Sequence, residues 1–122
     1  NLSEKGIQQS KKIGNFFTKN EIEIDAVLSS EWCRCKDTAF HAFGNFITFN
    51  ALNSFYDPKF SKNEELQIID LKKLIESWKS EKNLILVTHY VVISSMLNVG
   101  SSSGEIIVVN KDLEILSRMQ TF

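Results

Sequence analysis

The feature that most constrains the fold is a pair of short apolar segments, each followed at once by polar side chains. Ile22–Leu28 leads into Ser29 and Ser30, and Asn83–Thr88 leads into His89. Segments of this length, rich in aliphatic and β-branched residues, predict strands. In open α/β sheets, ligands lie outside the carboxyl ends of the strands. The sequence therefore predicts a sheet with two strand ends suited to chemistry.

Helical patterns surround and separate these two segments. Ser3 is a good N-cap for a first helix, Gly44 is a plausible stop for a second, and Asn63 can cap a third. Ser29 and Ser30 can cap the second helix. The predicted helices are Glu4–Phe17, Trp32–Phe43, Glu64–Lys79 and Val91–Leu97.

The remaining segments complete the predicted fold. Residues 45–62 lack a clean period and predict mainly a loop, and long loops within compact domains are often functional. Gly104–Val109 and Glu114–Met119 predict a hairpin around Asn110-Lys111-Asp112. Helices alternating with buried strands indicate a single α/β domain over residues 1–122, with an antiparallel element at its C-terminal end.

Charge, hydropathy and cysteine content exclude several kinds of protein. The formal net charge is −1, so no overall basic field favours nucleic acid. No apolar run approaches the ~20 residues that a membrane span needs. Cys33 and Cys35 are too close for a good disulfide and too few for a zinc site, so we expect free thiols on a helix. Free thiols favour a cytoplasmic protein, with the periplasm as the alternative because the chain begins at Asn1 rather than Met. The sequence carries no signal for an oligomeric state.

Two side chains are candidates for binding an anion. Arg34 falls in the first turn of the second predicted helix, where the dipole is already positive and a phosphate between guanidinium and amides would be favourable. His89 closes a strand at the mouth of the sheet and can donate to a phosphoryl oxygen or transfer a proton. The alternatives are an Arg34 that faces solvent or pairs with Glu31 or Asp37, and a His89 bonded to a backbone carbonyl in the core. His41, in the middle of the second helix, is expected to be structural or on the surface.

Four stretches resemble, in the right order, the motifs of one known family. Leu2–Gln9 is similar to the helix start that follows the family's first motif, and Ser29-Ser30-x-x-x-Arg34-x-x-x-Thr38-Ala39 is similar to the motif after its second strand. Leu86-Val87-Thr88-His89 is similar to its second histidine motif, and Gly104–Val109 is similar to its late strand. Together they resemble the histidine phosphatase superfamily, the phosphoglycerate-mutase-like proteins. The resemblance covers nearly the whole chain.

The resemblance implies a fold and an activity. The fold would be a three-layer α/β/α sandwich with a mostly parallel, mixed sheet whose first strand is not in the chain. The activity would be that of a phosphomonoester phosphatase working through phosphohistidine, without metal or cofactor, on a small phosphorylated substrate or inorganic phosphate. By position, Arg34 and Ser30 would hold the phosphoryl group and His89 would be the second histidine. The proton donor would be an acid after the second helix: Asp57 first, then Glu64 and Glu65.

The nucleophilic histidine of that family lies in an Arg-His-Gly or Arg-His-Ala motif, which we expect upstream of residue 1. Neither His41 nor His89 matches it, and the only arginines are Arg34 and Arg118. We therefore expect little hydrolysis from the 122 residues alone and two strand edges left unpaired. The alternatives are a non-catalytic phosphate- or partner-binding module and a generic α/β domain with coincidental motifs. A phosphoglycerate-mutase-type phosphotransferase is less favoured, because no extended insertion is present.

Overall fold

The computed structural model describes residues 2–120 and contains four helices and five strands within that range. The helices are α1 (Glu4–Lys19), α2 (Cys33–Phe43), α3 (Glu64–Ser77) and α4 (Tyr90–Leu97). The strands are β1 (Ile24–Ser29), β2 (Ile47–Thr48), β3 (Asn83–Val87), β4 (Glu105–Val109) and β5 (Ile115–Gln120). The predicted α/β class is confirmed.

The helix ends follow local chemistry, with two differences from prediction. The N-cap of α2 is Trp32, so neither Ser29 nor Ser30 caps this helix; the Ser30 hydroxyl instead accepts from the Trp32 amide at 3.1 Å. The Ser3 hydroxyl accepts a hydrogen bond from the Gly6 amide at 3.1 Å, and Gly44 ends α2 with φ at 82°, so both predicted caps are confirmed. Asn63 precedes α3, but its side chain makes no capping hydrogen bond because a short 3-10 helix, Ser61–Asn63, leads into α3.

Three strands form a parallel sheet in the order β2-β1-β3. Leu28 pairs with Leu86 in this register, which brings the carboxyl ends of β1 and β3 to the same edge. Residues 45–62 are mainly loop, as predicted, but the segment also contains short regular elements. This segment holds β2 and the 3-10 helices Asn50–Leu52 and Ser61–Asn63, and a strand of two exposed residues has no periodicity by which to find it.

Helices cover both faces of this sheet. Val27 and Leu28 are consecutive and both buried, so β1 is covered on each side. The Leu28 face packs with α3, α4 and the segment after β2; its core cluster is Leu28, Ala51, Leu52, Phe55, Ile68, Leu71 and Val92. On the other face α2 contacts β1 and β3, and α1 packs against α2. None of the helices within residues 2–120 is both long and apolar enough to cross a membrane.

The crossing of α1 and α2 depends on one glycine. Gly14 is buried in α1, and a Cβ atom built on it would overlap the backbone carbonyl of Ala42 in α2. Phe17, one turn further along α1, packs edge-on against Phe43 with ring centroids 5.2 Å apart. The two helices therefore lie closer together than any other residue at position 14 would allow.

The predicted C-terminal hairpin is confirmed as an antiparallel pair, β4 and β5. The Asn110 side chain accepts hydrogen bonds from the amides of Asp112 and Glu114, both at 3.0 Å, and thereby builds the turn. This pair forms a sheet of its own. Within residues 2–120, β3 pairs only with β1 and β4 pairs only with β5, so each has one edge without a partner strand.

Candidate functional site

The carboxyl ends of β1 and β3 bring Ser30 and His89 together. The Ser30 amide donates to the carbonyl oxygen of Val87 at 3.0 Å, which continues the parallel ladder by one residue. The Ser30 hydroxyl oxygen lies 2.8 Å from Nε2 of His89, although 59 positions separate the two residues in sequence. Two residues predicted from separate motifs are thus in direct contact.

Arg34 stands next to this pair in the first turn of α2, as predicted. Its side chain is exposed. Of the predicted alternatives, the solvent-facing arginine is the one that the structure shows: no pairing with Glu31 or Asp37 is formed, and within residues 2–120 the guanidinium makes no ion pair or hydrogen bond. The positive charge of Arg34 nevertheless acts on the site, because it adds to the effect of burial in lowering the pKa of His89. The guanidinium is therefore free to take an anion.

Two helices begin at the same edge of the sheet. α2 starts just after Ser30, and α4 starts directly after His89, which occupies its N-cap position. The first amides of these helices, those of Cys33, Arg34, Tyr90 and Val91, form no hydrogen bond within the described part of the chain. Helix N-termini of this kind attract anions through unpaired N–H groups and the helix dipole.

The imidazole of His89 is held in its neutral form. Burial, with a smaller contribution from the nearby Arg34 charge, lowers the pKa of His89 from 6.5 to about 4. The Trp32 ring contributes to this burial, since its centroid lies 6.1 Å from that of the His89 ring. A neutral imidazole at this edge can donate one hydrogen bond and accept another.

Cys35 is a member of the site that the sequence did not reveal. Its sulfur is buried and lies 3.6 Å from Nε2 of His89 and 3.6 Å from the carbonyl oxygen of Thr88. Burial raises the pKa of the Cys35 thiol to about 11, and the smaller opposing effects of Ser30 and Arg34 do not cancel this. The group therefore remains a protonated thiol and not a nucleophile. The exposed thiol is that of Cys33.

Asn53 is a second unpredicted member. Its Oδ1 accepts from the Glu31 amide at 2.8 Å and from the Ser30 hydroxyl at 3.2 Å, and its Nδ2 donates to the Glu31 carboxylate at 2.9 Å. Asn53 lies within residues 45–62, the long irregular segment for which a functional role is expected. That expectation was the only signal in the sequence, and it did not single out this residue.

The acidic candidates lie outside this cluster. Asp57 is exposed, and its carboxylate accepts from the Lys59 amide at 3.0 Å in a local turn, with no contact to Ser30, Arg34 or His89. Glu64 accepts from the Ser95 hydroxyl at 2.7 Å and lines an open cavity of about 550 Å³. Tyr90, the residue after His89, lines the same cavity. Glu64 is therefore bonded to α4, at a residue six positions after His89.

Together these groups define an edge suited to a small anion. One exposed guanidinium, one half-buried neutral imidazole and two sets of helix amides lie at this end of the parallel sheet, whereas the Ser30 hydroxyl is fully buried and already bonded to Asn53, the Trp32 amide and His89. Within residues 2–120, no group of three or more His, Cys, Asp and Glu side chains could hold a metal ion. The chemistry that the described residues offer is recognition of tetrahedral oxyanions by cationic and neutral donors.

The pKa of His89 predicts how stability changes with pH. The pKa of His89 is about 4 in the folded chain and 6.5 ordinarily. As pH falls from about 6.5 to 4, the imidazole is therefore protonated in the unfolded chain but not in the folded chain. We therefore expect the free energy of unfolding to decrease over this window. Urea unfolding at pH 7.5 and pH 5 should show a smaller decrease for His89→Gln than for the wild type. The surface variant Asn50→Ala should keep the wild-type difference, and equal decreases in wild type and His89→Gln would contradict the prediction.

Comparison with known proteins identifies no family for this chain. It matches no protein-family model, and no curated protein matches it either.

Proposed function

We propose that this chain is the larger part of a metal-independent phosphomonoester phosphatase of the histidine phosphatase superfamily, with the phosphoryl group bound between Arg34, His89 and the helix amides near Ser30. The observation that carries the proposal is the 2.8 Å contact between Ser30 and His89 at the joined ends of β1 and β3. It supports the resemblance, because it brings the motif that contains Ser30 and the motif that contains His89 into direct contact.

The electrostatics of the edge support a phosphoryl ligand. The guanidinium of Arg34 has no partner of its own within residues 2–120, and its two-pronged donor geometry matches phosphate oxygens. The unpaired amides at the start of α2 and α4 add donors that need no reorganisation when charge develops on the phosphoryl oxygens. In the proposed reaction these groups hold the transferring phosphoryl and stabilise its transition state.

The nucleophile in this proposal is a histidine on a strand upstream of residue 1, outside the described residues. The open edges of β3 and β4 support such a strand, since it would pair with both and join the two sheets into one. In the first step the imidazole nitrogen bonds to phosphorus while the bond from phosphorus to the alcohol oxygen breaks, and an acid protonates that oxygen. In the second step water attacks the phosphohistidine and gives a proton to the carboxylate left by the first step, so that the nitrogen–phosphorus bond breaks, inorganic phosphate is released and both the imidazole and the acid are restored.

For the acid we place Glu64 ahead of Asp57. Glu64 accepts a hydrogen bond from Ser95 in α4 and lines one cavity with Tyr90, the residue after His89. The carboxylate of Asp57 is instead held by the Lys59 amide in an exposed turn. Substitution of Glu64 by glutamine in the complete protein tests this choice through the pH dependence of turnover.

The anion pocket is tested on the 122-residue chain itself. At about ten times its dissociation constant, inorganic phosphate should stabilise the folded chain by about 1.4 kcal/mol, a rise in melting temperature of about 3–8 °C. Sodium chloride at equal ionic strength is the control, because a general salt effect would raise both curves alike. No difference between the two salts at millimolar phosphate would exclude the pocket.

The chemistry is tested on the protein with its upstream segment. Incubation with a radiolabelled phosphomonoester should trap label on a histidine, in an acid-labile and alkali-stable linkage. Label on histidine supports the phosphatase. Binding of phosphate without label or turnover would instead favour a phosphate-binding module on the same fold, and neither binding nor label would exclude both.

A further inference from the structure

We propose that Asn53, acting through Ser30, fixes His89 in the tautomer that carries its proton on Nε2, so that Asn53 is a positioning residue of the site. The argument requires only the hydrogen bonds around three side chains and the number of protons that each can supply.

The orientation of the Asn53 amide is determined by Glu31. The Glu31 backbone N–H can only donate, and it lies 2.8 Å from Oδ1 of Asn53. The Glu31 carboxylate accepts from Nδ2 at 2.9 Å. Rotating the amide by half a turn would set donor against donor and acceptor against acceptor, so Oδ1 must face Glu31 N and Ser30.

The orientation of the Asn53 amide also determines which atom donates in the contact between Ser30 and Asn53. Oδ1 of Asn53 has no hydrogen, so the 3.2 Å contact needs the hydroxyl proton of Ser30. Ser30 has one such proton, and its oxygen also accepts from the Trp32 amide at 3.1 Å. The remaining 2.8 Å contact, to Nε2 of His89, is then a bond in which the imidazole donates. The chain of donors runs from His89 through Ser30 to Asn53 and ends on the Glu31 carboxylate.

The surrounding contacts agree with this direction. The Cys35 thiol can donate to the Thr88 carbonyl oxygen, which leaves its sulfur as a weak acceptor beside the Nε2 proton. The lowered pKa of His89 keeps the ring neutral near pH 7, so a proton on Nε2 leaves Nδ1 with its lone pair free. On the proposed function, the Nε2 proton is committed to Ser30, so His89 meets the phosphoryl group through Nδ1, which accepts the proton of a protonated phosphoryl oxygen and is not a donor in its resting form.

Asn53 is itself held in place from two sides. Nε2 of Gln67, in α3, donates to the backbone oxygens of Asn53 at 2.8 Å and Ala51 at 3.1 Å. The Thr88 hydroxyl, next to His89, donates to the Leu52 carbonyl oxygen at 2.7 Å. The segment that presents Asn53 is therefore anchored both to α3 and to the residue before His89, as a positioning residue requires.

The test is the tautomer of His89, measured by long-range correlation of the ring carbon-bound protons to the ring nitrogens in ¹⁵N-labelled protein at pH 7. The chain has two histidines, so a His41→Gln variant assigns the signals. In the wild type we expect Nε2 to carry the proton and Nδ1 to be bare. In Asn53→Ala the Ser30 proton loses its acceptor and can turn to Nε2, which should shift the tautomer ratio about tenfold towards the Nδ1 form.

Asn50→Ala is the matched control, because Asn50 lies in the same segment, is exposed and makes no side-chain hydrogen bond within the described residues. It should leave the ratio unchanged. A proton on Nδ1 in the wild type would overturn the proposal even if Asn53→Ala does not fold, and so would an unchanged ratio in a folded Asn53→Ala. Adding phosphate separates this inference from the proposed function. If the Nε2 tautomer is found but millimolar phosphate moves no His89 signal, the tautomer inference holds and the phosphate site fails.

Discussion

On the proposed function, replacing Arg34 by alanine is expected to abolish the predicted rise in melting temperature with phosphate and, in the proposed full-length phosphatase, to lower kcat/KM by about 10²–10³-fold. Arg34 is the cation whose charge acts on His89, and it makes no ion pair within residues 2–120 that would compete for that charge. Because the side chain is exposed, the folded state should lose little stability from its removal. The two measurements are a phosphate titration followed by thermal melting and steady-state hydrolysis of a phosphomonoester.

The conservative change Arg34→Lys separates geometry from charge. Lysine keeps the charge but loses the planar pair of donors that binds two phosphate oxygens at once, so most of the activity should be lost with it. Lys36→Ala is the matched control, since it removes one positive charge from the same helix, two positions away from the proposed contact. An Arg34→Lys enzyme with full turnover would show that charge alone suffices and would rule out a two-pronged arginine contact.

Gly14→Ala is expected to lower the free energy of unfolding by about 2–3 kcal/mol. The added methyl group would overlap the Ala42 carbonyl of α2, and backbone cannot move aside as the end of a flexible side chain can. The helices α1 and α2 must then separate, which loosens the contact of Phe17 with Phe43 and the layer that covers β1 and β3. Urea unfolding followed by circular dichroism measures the change.

Gly100→Ala is the control for that experiment. A Cβ atom on Gly100 would meet nothing within 4 Å, so this change should alter stability by no more than about 0.5 kcal/mol. If the two variants unfold at the same urea concentration, the close crossing of α1 and α2 is not a determinant of stability.

The elements that could be predicted from sequence are those with a local signal. The runs that became β1 and β3 are apolar and bounded by polar residues, and Ser3 and Gly44 mark helix ends by chemistry that acts within a few residues. The positions of Arg34 and His89 followed from the elements that carry them, since each lies at a strand or helix end. The sequence does not show that β1 and β3 are neighbours or that Ser30 touches His89; the register of the sheet shows both.

The unpredicted parts depend on contacts between distant residues. Asn53 reaches the site only because Gln67 and Thr88 hold its segment, 14 and 36 positions away from the backbone oxygens they bind. Cys35 reaches it because the second residue after Cys33 on a helix turns inward to Thr88 and His89. β2 consists of Ile47 and Thr48 and exists through its pairing with the end of β1. None of these leaves a pattern in the sequence of its own segment.

The wide separation of β1 and β3 in the sequence has a consequence for how the protein folds. α1 and α2 are close along the chain and can pack early. The contact of Ser30 with His89 requires closing a loop of 59 positions and forms later. Parallel pairings of this kind form slowly, because the intervening chain loses its freedom before the contact stabilises it. The edge of the sheet proposed to bind an anion is therefore completed late. On the ribosome, the proposed phosphate site would be absent until His89 and the start of α4 have emerged from the exit tunnel.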